Sequence, residues 1–165
     1  MAVIGWGKPK IVVKKVDGDD YILLPTGIEN STTLTTTKGD KKEAKIEGGE
    51  NEDVRYGKNT YALAVEIRDV KGRPQPIKDH DGLVEGEYEV WLQPEDATLN
   101  GLHIAKTVVS VEDKWDAENG SSWVYTFDAL KPSDGTDQVK RGVVTFTEAG
   151  NKVSNVSFTE DTDAE

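Results

Sequence analysis

The sequence predicts a mainly β protein, an antiparallel β-sandwich or barrel with one short flanking helix. Three observations predict it. Apolar residues recur with a period of two, which places them on one side of a pleated strand. Asp-Gly and Asn-Gly pairs fall between the alternating runs, and such pairs tolerate the positive φ of tight hairpin turns. No stretch reads as a long helix.

Taken in chain order, Ile11–Val16 and Tyr21–Leu24 are candidate strands separated by Asp17-Gly18. Thr32–Thr37 and Lys42–Glu47 are weaker candidates. Thr60–Arg68 is the clearest strand: Tyr61, Leu63, Val65 and Ile67 fall on one face, and Thr60, Ala62, Ala64, Glu66 and Arg68 on the other. Ile77, Asp81 and Val84 stand at roughly helical spacing, which predicts a short helix within Pro76–Val84. Gly82 opposes that helix, and Pro74 and Pro76 make the chain before it extended. In Glu87–Gln93, Tyr88, Val90 and Leu92 oppose Glu87, Glu89, Trp91 and Gln93. In Ile104–Glu112, Ala105, Thr107, Val109 and Val111 alternate with Ile104, Lys106, Val108 and Ser110. Asn119-Gly120 leads into Trp123–Ala129, where Trp123, Tyr125 and Phe127 oppose Val124, Thr126 and Asp128. Val143–Thr147 and Lys152–Phe158 complete the set, joined through Ala149-Gly150-Asn151.

With 165 residues the chain suits one domain, taken as residues 1–158. Two parts depart from a compact domain. In residues 38–58, 12 of 21 residues are charged, six of each sign. This is either a solvated loop or a long hairpin arm that becomes ordered against another subunit. Residues 159–165 carry four acids and no base, and read as a disordered acidic tail. A net charge of −11 argues against a tight, sequence-reading nucleic-acid binder, which needs cations for phosphates. The absence of cysteine excludes disulfide scaffolds and thiolate chemistry. No apolar run approaches 18 residues, so no membrane span or anchor is expected. The opening MAVIGWGKPK lacks the pattern of a signal peptide, so synthesis in the cytoplasm is expected.

No catalytic, cofactor-binding or metal-ligating residue is expected from the sequence motifs, and no enzyme is expected. There is no P-loop, no G-x-G-x-x-G and no G-x-S-x-G. His80, in Asp79-His80-Asp81-Gly82, is the most site-like position, yet a solvated turn explains it better than a metal. His103, at the start of a strand, reads as a surface or half-buried residue. Asp116-Ala117-Glu118-Asn119-Gly120 fails the calcium-loop pattern, and Asp17, Asp19 and Asp20 suit a polar turn. Four Trp invite a sugar-stacking strip, but the simpler assignment puts Trp123 in the core and Trp6, Trp91 and Trp115 over edges or interfaces.

One resemblance stands beside these readings. A strand pair leads through Thr26-Gly27-Ile28-Glu29-Asn30 into Ser31-Thr32-Thr33-Leu34-Thr35-Thr36-Thr37, then the Gly-broken Glu47-Gly48-Gly49-Glu50, then Tyr61–Arg68. Val108-Val109-Ser110-Val111-Glu112 and Trp123–Leu130 follow. Over about residues 10 to 130 this order resembles the tail tube, or major tail, proteins of bacteriophages and contractile systems. The resemblance implies a structural protein of the virion tail, made in the host cytoplasm. It implies hexameric rings stacked into a tube, contact with other tail proteins, and a channel through which DNA passes without specific binding. Carboxylates on the channel wall would repel DNA and let it slide. Glu66, Glu87 and Glu89, opposite the apolar stripes, could supply them, though Arg68 and Lys106 lie on strands too. The alternative is a non-enzymatic β-sandwich module that grips carbohydrate or protein through Trp91 and Trp115.

Overall fold

The structure, a computed structural model, describes residues 7–149 and 152–161. Among these residues there are eleven strands and no helix. The strands are β1 (Lys10–Lys15), β2 (Tyr21–Leu23), β3 (Thr33–Thr37), β4 (Lys41–Lys45), β5 (Asn51–Tyr56) and β6 (Thr60–Arg68), then β7 (Leu83–Gln93), β8 (Gly101–Asp116), β9 (Gly120–Ala129), β10 (Val139–Ala149) and β11 (Lys152–Glu160). Nine of them form one antiparallel sheet in the order β2-β1-β7-β8-β9-β6-β3, with β10 paired to β8 and β11 to β10. β4 and β5 form a separate two-stranded sheet.

β8 organises the large sheet. One edge pairs with β7; the other is shared, with Val139–Gly142 of β10 on Gly101–Ile104 and β9 on Thr107–Asp116. The alternating stripes of β6 and β9 turn inward: Leu63, Val65, Ile67, Tyr125 and Phe127 meet Ile11, Val13, Tyr88, Val90, Val109 and Val111 in one core. Past the fork, the β10–β11 hairpin lies over the outer face, where Val144 and Val153 bury against Val12 and Trp91. β1 is therefore buried on both sides, which is why Ile11, Val12 and Val13 are consecutive apolar residues.

Four expectations need correction. The sheet does not close into a barrel: β2 and β3 end it without pairing, and the connection between them bridges the gap, Leu24 N–H donating to the Ile11 carbonyl at 2.9 Å and Ile28 N–H to that of Glu66 at 2.8 Å. The short helix in Pro76–Val84 is absent. Asp79 accepts hydrogen bonds from Gln75 Nε2 (2.9 Å) and Gly82 N–H (2.8 Å), closing a turn instead. Asp81 and Gly82, at φ 53° and 85°, are left-handed, which ends any right-handed helix. Ile77 instead enters the core from a loop, its carbonyl accepting from Tyr125 Oη at 3.0 Å. Thr159 and Glu160, expected in the acidic tail, instead pair with Val143 and Gly142 in β11, and residues 162–165 lie outside the described residues. In β8 the alternation shifts phase: the register with β7 slips between Tyr88 and Val90, so Ile104 is buried together with Thr107, Val109 and Val111.

Candidate functional site

The segment 38–58 is a hairpin standing clear of the body. Every residue of β4 and β5 is exposed, and neither strand pairs with the nine-stranded sheet. At its root the two chain segments are pressed together. Gly57 N–H donates to the Asp40 carbonyl (2.8 Å) and Gly39 N–H to Asn59 Oδ1 (3.1 Å). A Cβ at Gly39 would sit 2.1 Å from the Gly57 carbonyl oxygen, so only glycine fits this crossing. At the far end Gly48 and Gly49 take φ of 92° and 86°, which lets the ribbon reverse in a few residues.

Cross-strand pairing puts Lys41 opposite Tyr56 and Glu43 opposite Val54, on one face. Lys41 and Lys45 reach Glu43 at 2.6 and 3.6 Å; the Lys41 ammonium holds the Glu43 carboxyl below its ordinary value and is itself raised. Arg55 pairs with Asp53 at 3.0 Å. Ile46, Val54 and Tyr56 are exposed, Tyr56 by 66%. Charge is sorted along the ribbon. The tip, residues 46–53, holds four acids and no base. The stem holds a cleft of about 560 Å³ lined by Lys38, Asp40, Lys42, Arg55, Tyr56 and Lys58.

The outer face of the large sheet is the second exposed feature. Glu87, Val108, Asp128 and Ala62 lie in one cross-strand row, Leu83, Ser110, Thr126 and Ala64 in the next, and Glu112, Val124 and Glu66 in a third. Leu83 and Val108 are exposed there. Glu66 accepts from Ser122 Oγ at 2.8 Å, and Glu87 pairs with Lys106 at 3.2 Å. Of the three acids expected opposite the apolar stripes, Glu66 and Glu87 therefore share an open surface. Glu89 is on the same side but is drawn under the β10–β11 end by His103, whose Nε2 lies 2.7 Å from its carboxylate.

The remaining sequence candidates separate. His80 sits in the Asp79–Leu83 turn, exchanging backbone hydrogen bonds with Leu83 at 2.8 and 3.0 Å, and no group of three potential metal ligands occurs among the described residues. Asp116 accepts from the Glu118 and Asn119 N–H groups, which makes its segment a hairpin turn. Trp91 is buried, stacked on His103 at 5.3 Å between ring centres and tilted against Tyr21, so it is closed to a ligand. Trp115 is 75% exposed at the end of β8, Trp123 packs half-buried against the core, and Trp6 lies outside the described residues. Sequence reasoning missed the His103–Glu89–Trp91 cluster, because His103 joins β7 only through the register of β8. It also missed the convergence of Lys38 and Lys58, 20 residues apart, at one stem. The flanking Gly39 and Gly57 were the available signal.

No protein-family model matches the chain, and no curated protein matches it.

Proposed function

We propose that this chain is a structural protein that assembles with copies of itself, through its hairpin arm, into stacked rings forming a phage tail tube. The observation that carries the proposal is the isolated β4–β5 hairpin, which presents Ile46, Val54 and Tyr56 to solvent while its strands pair with no other element. Exposed β-branched and aromatic residues on an unpartnered ribbon are what a contact with another chain would bury. The curled sheet with β10–β11 laid over one end supplies the sandwich-like body of each subunit. Its uncovered outer face, with Glu66, Glu87, Glu112 and Asp128 beside Arg68, Lys106 and Lys114, is the surface we assign to the channel wall. Hexameric rings, other tail proteins as neighbours, passage of DNA and a place in the virion tail follow from the resemblance in residues 10 to 130. The carbohydrate-binding alternative is weakened by the burial of Trp91, which leaves Trp115 alone.

The test is size. Sedimentation velocity across a concentration series should show large assemblies for the intact chain and monomers for a chain lacking the hairpin. Equal sizes for both would remove the arm from the assembly.

A further inference from the structure

The hairpin carries unpaired charges of opposite sign towards its two ends. At the tip, Glu47, Glu50 and Glu52 make no ion pair among the described residues. At the stem, Lys38, Lys42 and Lys58 likewise make none, and all three line the cleft of about 560 Å³. All six side chains belong to exposed residues. A strand advances about 3.3 Å per residue, so Lys58 and Glu50, at the two ends of one strand of the hairpin, are separated by roughly 25 Å of ribbon. That exceeds the combined reach of the two side chains. Lys38 and Lys58, at the root, therefore cannot meet Glu47 and Glu50 at their own turn.

We infer that the acidic tip of one copy's hairpin seats in the lysine cleft at the stem of another copy's. The inference rests on the arm-mediated assembly proposed above and names the arm's partner surface. A second copy is favoured as occupant because three unpaired acids, matching the three unpaired lysines of the cleft, are carried on the same chain at or beside an exposed turn. Duplex DNA is disfavoured, since the chain's net charge is −11 and the cleft itself includes Asp40. The contact we infer is heterologous: each copy gives its tip to one neighbour and receives a tip from another, so that the contact propagates instead of closing as a reciprocal pair. Tyr56, which lines the cleft, supplies apolar area that the tip's Ile46 can cover.

The experiment reverses charge at each end. The stem variant is Lys38→Glu, Lys42→Glu and Lys58→Glu; the tip variant is Glu47→Lys, Glu50→Lys and Glu52→Lys. All six positions are exposed, so both variants should melt like the parent, which is checked first. In sedimentation velocity each variant alone should need at least tenfold more protein to assemble. An equimolar mixture of the two, or one chain carrying all six changes, should restore assembly, and raising the salt should weaken the parent's assembly. Single variants that assemble like the parent, a six-fold variant that stays monomeric while folded, or assembly that stops at a dimer would overturn the contact. So would a stem variant that assembles normally but loses a low-salt duplex-DNA affinity seen in the parent. A chain lacking the hairpin separates the two levels: if it assembles normally, the arm reading falls; if it does not while the charge reversals are silent, only the tip-to-stem contact falls.

Discussion

Phe127 decides which face of β9 is inside. It is fully buried, flanked across the sheet by Leu63 of β6 and Val109 of β8. Phe127→Ala should cost about 3–5 kcal/mol in chemical denaturation, by lost transfer energy and the cavity left behind. A loss below about 1 kcal/mol would put Val124 and Leu130 inside instead. Asp79 tests the turn that replaced the expected helix. The Gln75 amide, assisted by the Gly82 N–H, holds its carboxyl below the ordinary value against desolvation. A depressed folded-state pKa means stability that is present above the unfolded value and lost as pH falls through the folded one. Asp79→Asn should therefore melt below the parent at neutral pH, and the two melting temperatures should converge below about pH 4. A gap that persists in acid would assign the effect to shape rather than charge. At this scale the stripes of β6 and β9 were legible because each face of those strands has one environment. His103 was not: its partner Glu89 and its stacking neighbour Trp91 come from another strand, and only register brings them together.

Among the elements, the hairpin is the one whose removal the body should tolerate. The root is already closed, with the Gly57 N–H on the Asp40 carbonyl, so Lys41–Tyr56 can be replaced by Asn-Gly, a pair suited to a two-residue turn. That chain should keep a melting temperature within a few degrees of the parent and lose assembly, read by thermal denaturation and sedimentation together. Loss of the fold would show that the segment belongs to the core. The expected strand within Lys42–Glu47 exists as β4, but β5 was hidden because Asn51–Tyr56 carries acids where a buried strand would alternate. An exposed ribbon has no face to bury, so period two has nothing to report. The helix expected in Pro76–Val84 failed for the opposite reason. Ile77 and Val84 are both drawn to the core, from a loop and from β7 respectively, and their spacing imitates a helical face. The open sheet was equally out of reach, since pairing between the first and last strands depends on curvature that no local pattern records.

For the whole molecule, the charge balance of −11 constrains what the proposed assembly could do with DNA. Each inward Lys or Arg would act as a brake through phosphate contact, and each such contact has a salt signature. Assembled protein should retain no duplex DNA at low salt, and in a structure of the ring acids should outnumber bases on the channel wall. DNA affinity that fades with salt, or a basic wall, would defeat the sliding account while leaving the tube intact. Whether the chain assembles with itself is read from electron microscopy of the purified parent protein over a concentration series. Rings are expected at intermediate concentration and stacked tubes at high concentration. Isolated single-chain particles at every concentration would contradict self-assembly.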